Sequence, residues 1–169
     1  MLDDETRVFI ATNRDIPVGL LHFFSEQPAF TWRYLAAENH KLPNADVERL
    51  SQDAIDDVRW AVARNWKTPS LVLERLASDA DSQVRLAVAR NPHTPNAVVR
   101  ELADDDNESV GKSARQALLQ RHVADRLASD VLDEFGHSEP WATGADSPEM
   151  EWVREYVWHF YAAARKAAA

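Results

Sequence analysis

The chain has 169 residues, 28 acidic against 19 basic side chains for a net charge of −9, no cysteine and four glycines. That length suits one domain with a real core, although stacked repeats bury less per residue than a globule, and the missing cysteines exclude disulfides and thiolate metal sites. With no glycine-rich phosphate loop, no nucleophile elbow and no run near the roughly 20 apolar residues of a membrane span, the expectation is a non-enzymatic cytoplasmic protein without an export signal, cofactor or metal.

From the N-terminus a 26-residue period organises the chain as far as Arg121. The units in register run Thr6 to Thr31, Trp32 to Asp57, Val58 to Gln83 and Val84 to Ser109, with a partial one from Val110. The first is degenerate, keeping Arg7, Ala11, Asn13 and Pro17 with Phe24 in the leucine column, as a terminal repeat with one solvent-facing side should be. VRWAVARNWKTP from Val58 and VRLAVARNPHTP from Val84 open two units that agree at 13 of 26 positions, which establishes tandem repetition.

Within a unit, Asp81 to Asn91 predicts a first helix, capped by Asp81 and carrying Val84, Ala87 and Val88 on one side. Asn91 is expected to end it in the left-handed conformation, with Thr94 as the next N-cap and Pro95 at the first helical position. The second element, to about Ala103, packs Val98, Val99 and Leu102 and is expected to be two turns long and partly 3₁₀, because 26 residues leave little room. Stacking lines up Ala11, Ala37, Ala63 and Ala89 at close approaches, Phe24, Leu50, Leu76 and Leu102 in the core, and Asn13, Asn39, Asn65 and Asn91 as a polar ladder. The Arg33, Arg59, Arg85 column (with Arg7) and the Asp53, Asp79, Asp105 column repeat in step with the core. They are better explained by structural ion pairs and hydrogen bonds than by a phosphate track.

These motifs, a VRxAVAxNPxTP core followed by LxxLAxDxD, resemble the variant leucine-rich repeat and more distantly the HEAT-like solenoids. The resemblance covers Thr6 to about Arg121 and implies an all-α, right-handed α-solenoid in a bacterial-type cytosol. A relative in that family carries an N-terminal cysteine cluster similar to an iron–sulfur site, which a chain without cysteine does not share.

Columns that vary between units are free to specialise, and in repeat proteins they usually line the binding surface. On the first helices two such columns stand four residues apart: Tyr34 with Glu38, Trp60 with Arg64, Leu86 with Arg90, and Lys112 with Gln116. Trp66 and Lys67 extend the stripe at the turn. Tyr34, Trp60, Arg64, Trp66, Lys67, Leu86 and Arg90 are therefore the expected contact residues for another protein, since Trp, Tyr and Arg are enriched at hot spots. The competing expectation is that Trp60 and Trp66 only fill gaps between units.

Beyond Arg121 the period is lost, and residues 122–169 are expected to form a helical cap. His122 to Phe135 predicts a helix, 136–146 a loop anchored by Trp141, and Ser147-Pro148 the start of a last helix. Trp152, Tyr156 and Phe160 make a stripe on that helix, expected either to fold back as the cap or to dock on a second copy or a partner. Glu155 and His159 lie one turn apart but lack a third metal ligand in sequence.

Charge is −6 over residues 1–57, +2 over 58–121 and −5 over 122–169, which argues against indiscriminate nucleic-acid binding. The alternative kept open is a HEAT-like DNA-glycosylase-type protein in which Trp60, Trp66 and Arg90 would face the duplex.

Overall fold

The structure, a computed structural model, describes Asn13 and residues 15–135, with side-chain surroundings as far as His122. Arg7, Ala11, Trp141, the Glu155–His159 pair and the Trp152, Tyr156, Phe160 stripe lie outside the described residues. The chain divides into two compact units, Met1–Leu118 and Leu119–Ala169.

Every described element is helical: α1 (Val18–Ser25), α2 (Phe30–Glu38), α3 (Asn44–Leu50), α4 (Asp56–Arg64), α5 (Ser70–Leu76), α6 (Ser82–Arg90), α7 (Asn96–Leu102) and α8 (Glu108–Phe135). First helices α2, α4 and α6 pack side by side, and the second helices α3 and α5 each pack on the two first helices that flank them, the arrangement of a helical-repeat solenoid. The core runs through the stack as columns. Ala37, Ala63 and Ala89 are buried where neighbouring helices approach, and Leu50, Leu76 and Leu102 fill the space beneath. Phe24 takes the leucine position in the first unit and stacks on Trp32 at 4.6 Å.

Asp81 caps α6 by accepting hydrogen bonds from the N–H groups of Gln83 and Val84. The other end of the first helix departs from expectation. Asn91 is extended (φ −71°, ψ 124°), not left-handed, because its side chain rather than its backbone turn completes the helix end. Thr94 is not an N-cap either: its buried hydroxyl donates to the Val88 carbonyl at 2.6 Å, and Pro95 occupies the cap position ahead of α7. The second helices α3, α5 and α7 are α-helices of seven residues, and α1 in the same position of the first unit has eight. Tighter three-residue bonds stand at their ends, as from Val72 N–H to Pro69 O and from Ser78 N–H to Arg75 O.

Helix α8 continues without a break through the segment from His122 to Phe135. The reason is local: the Asn–x–x–Thr–Pro stop found at Asn91, Thr94 and Pro95 is replaced at the equivalent positions by Ala117, Gln120 and Arg121, all good helix formers.

Candidate protein-interaction surface

The repeating polar residues are consumed by the fold. Helix ends leave their last carbonyls without intrahelical partners, and Asn65 and Asn91 each supply one for the helix of the preceding unit. Asn65 Nδ2 donates to Ala37 O (2.8 Å) and Asn39 O (3.1 Å), and Asn91 Nδ2 donates to Ala63 O (2.7 Å) and Asn65 O (3.0 Å). Asn39 Nδ2 likewise donates to Asn13 O. On the other side of each amide, Oδ1 accepts the N–H two residues on, at Asp15, Lys41, Lys67 and His93.

The arginine column is tied down as tightly. Arg33, Arg59 and Arg85 each make a two-pronged bond to Asp53, Asp79 and Asp105, with the shorter contact at 2.6 to 2.7 Å and little exposure of either partner. The remaining nitrogen reaches back to the turn before it, to Gln27 O and Pro28 O, to Asp53 O, and to Asp79 O and Ala80 O. One guanidinium thus bridges two successive turns. Burial alone would raise the Asp53 and Asp79 carboxyls, but the arginine bonds and the N–H groups of Ile55 and Asp81 hold both below the ordinary carboxylate value. At Asp105 the bond from Arg85 is the largest influence and acts in the same direction. A phosphate would find none of these arginines available.

The variable columns lie on the exposed side of α2, α4 and α6. Tyr34 and Trp60 stack with parallel rings (6.4 Å, 4°), and the Arg64 guanidinium sits 5.1 Å above the Trp60 ring. Glu38 joins the set, pairing with Arg64 at 3.3 Å. Burial, then the neighbouring Glu38 carboxylate, pushes the Tyr34 hydroxyl up to about 12, so it stays protonated and bonds to Glu38. Four side chains from two helices therefore hold one another in place.

Trp66 is 46% exposed, a large share of an aromatic side chain to leave in water. Lys67 Nζ lies 4.3 Å from its ring centre, and His40 and His93 flank it at 6.0 and 6.2 Å. A groove of about 290 Å³ runs between α4 and α6, walled by Trp60, Arg64, Leu86 and Arg90 and ending at Pro92. The structure thus gathers Tyr34, Trp60, Arg64, Leu86 and Arg90 along one groove system and places Trp66 with Lys67 on the turn ridge. Half-burial of Trp60 and Leu86 against the core gives these two a packing role as well.

Sequence reasoning missed a polar cluster on the second-helix side. Asp46, buried where later units have Val72 and Val98, accepts hydrogen bonds from His22 Nδ1 and Arg49, and Arg49 also holds Ser25. The signal was a carboxylate standing in an otherwise apolar column, Leu20, Val72 and Val98. Among the described residues no cluster of His, Asp and Glu is arranged to hold a metal, and no helix is long and apolar enough to cross a membrane.

Residues 83–107, α6 with its following turn and second helix, match the family model described as leucine rich repeat variant. That family is a structural repeat associated with protein–protein interaction. No curated protein and no solved structure matches the chain.

Proposed function

We propose that this leucine-rich-repeat-variant chain is a non-catalytic scaffold or adaptor of the cytoplasm, and that another protein docks on the face bearing Tyr34, Trp60, Arg64, Trp66, Lys67, Leu86 and Arg90. The observation that carries this reading is a division of labour. The side chains that repeat are spent on internal hydrogen bonds, whereas those that vary form a preorganised aromatic and basic surface beside a groove. Rigid aromatic and arginine groups bind at low entropic cost, which makes them effective anchors.

The nucleic-acid alternative draws on the same Trp60, Trp66 and Arg90. Against it, the arginines that repeat along the stack are saturated, and the exposed Asp56 and Asp57 carboxylates border the surface. Docking between two copies through Trp152, Tyr156 and Phe160 would be a separate contact.

The test is capture from a native-like lysate by the full chain and by a Trp60→Ala, Arg64→Ala double variant, scoring protein and nucleic acid. A protein recovered by the first and lost with the second, at unchanged helical content, is the expected result. Recovery that survives the double change moves the interface elsewhere, and recovery of nucleic acid alone replaces this reading with the alternative.

A further inference from the structure

The groove between α4 and α6 is continuous in its lining with a second one of about 290 Å³, and the two share Trp60 and Gln83. The second takes in Tyr34 together with Asp56, Asp57 and Asp81. Carboxylates therefore mark the N-terminal ends of these first helices, and Arg64 and Arg90 mark their C-terminal ends, with Trp60 and Leu86 between. Asp81 is engaged in capping its own helix, but Asp56, Asp57, Arg64 and Arg90 are exposed. Arg90 has no ion-pair partner among the described residues, and the Arg64–Glu38 pair is an open surface contact with Arg64 64% exposed.

Resting on the interaction reading above, we infer that the occupant is an amphipathic helix of another protein. It carries a basic and an acidic residue two turns apart on one face, with a large apolar residue between them. The spacing follows from the receptor: Asp57 and Arg64 stand seven residues apart on α4, about 10 Å along the axis at 1.5 Å per residue. A partner helix lying along the groove meets that separation with residues i and i+7, and places i+3 or i+4 over Trp60 and Leu86. Basic side chains go to the aspartate end and acidic ones to the arginine end.

A helix fits better than an extended segment. An extended backbone would run along walls made of helices, whose own backbone groups are already bonded within each helix, so that side chains such as Gln83 would have to meet its N–H and C=O groups. A helix brings its backbone bonds with it. A nucleic-acid strand following the same track would run its phosphates into Asp56 and Asp57.

The test uses the full chain against a displayed library of alanine-based peptides of about 20 residues, beyond the length at which isolated helices are marginal, randomised on one face. Expected recovery is of peptides with Lys or Arg seven residues from Asp or Glu and Leu, Phe or Trp between. An Arg64→Glu, Arg90→Glu variant, altered only at exposed positions, should bind those peptides at least about tenfold more weakly, a loss of about 1.4 kcal/mol, and should recover peptides basic at both ends instead. Peptides without that charge order, proline-containing extended peptides, preferential binding of a single-stranded oligonucleotide probe, or no recovery would each overturn the inference. Where peptides lacking the charge order are recovered and Trp60→Ala abolishes their binding, the docking face stands and only the helix class falls. Where Trp60→Ala changes nothing, both fall.

Discussion

Asn91 carries more structural weight than its size suggests. One amide closes its own turn by accepting from His93 N–H and completes the end of α4 in the unit before it through Ala63 O and Asn65 O. The bonds to Ala63 and Asn65 are buried, so their loss is not made good by water. Asn91→Ala should destabilise the fold by about 2–4 kcal/mol, from the roughly 1–3 kcal/mol of each unpaired buried group, read as a lower urea midpoint. A loss under about 0.5 kcal/mol, the size of an ordinary surface change, would mean the amide is replaceable by water. The asparagine column was legible in the sequence because it repeats every 26 residues. Its partners, 26 and 28 residues earlier, were not, since no local pattern encodes which carbonyl a stacked neighbour presents.

At the scale of elements, two kinds of signal behaved differently. Asp81 before an apolar-periodic run specifies where α6 begins, and the structure uses it in that way. Thr94-Pro95 reads just as plainly as a cap followed by a helix, yet the hydroxyl turns back to Val88 O and the helix starts at Asn96. Thr94 is buried, and a buried hydroxyl goes to whatever acceptor the packing leaves unpaired. The long α8 gives the converse case, a helix that runs on because its stop signal is absent. Restoring it with Ala117→Asn, Gln120→Thr and Arg121→Pro should end the helix near residue 116. Proline removes an N–H and clashes with the preceding turn, at about 3 kcal/mol within a helix. Amide hydrogen exchange should show protection lost from about residue 118 onward, with α4 and α6 unchanged. Protection that persists through residue 121 would show that packing, not the missing motif, sets the length of α8.

Across the whole stack, electrostatics makes stability depend on pH in two opposed ways. Asp53, Asp79 and Asp105 are held below their ordinary values by their arginines. A carboxyl depressed in the folded state contributes stability that is complete above its unfolded value, about 3.9, and that is lost as pH falls through the folded value. The thermal midpoint should therefore decline below about pH 4, and an Arg59→Leu, Arg85→Leu variant, already destabilised, should decline less. The same slope in the variant would assign acid sensitivity to other groups. His22 works the other way: its bond to Asp46, then the Asp46 and Glu26 charges, raises it. Its contribution is complete below about pH 6.5 and fades as pH rises through the folded value. His22→Ala should remove a mild loss of stability that sets in as pH rises above about 6.5, while a loss that remains would point to a different titrating group.

By itself the sequence determined the period, the helical class, the first-helix boundaries and the core columns. Each of these is written within a few residues of chain by apolar spacing, caps and turn residues, and is then repeated. It also separated repeating polar residues from variable ones. Only the tertiary structure decided where the side chains end up. It set Arg59 across two turns, closed Tyr34, Glu38, Trp60 and Arg64 into one cluster, left Trp66 partly exposed, and gave Asp46 a place beside His22. These outcomes depend on which unit lies against which and on the acceptors that stacking exposes. A hydrogen bond or ring contact spanning 20 to 28 residues is a property of the packed stack, not of any segment within it.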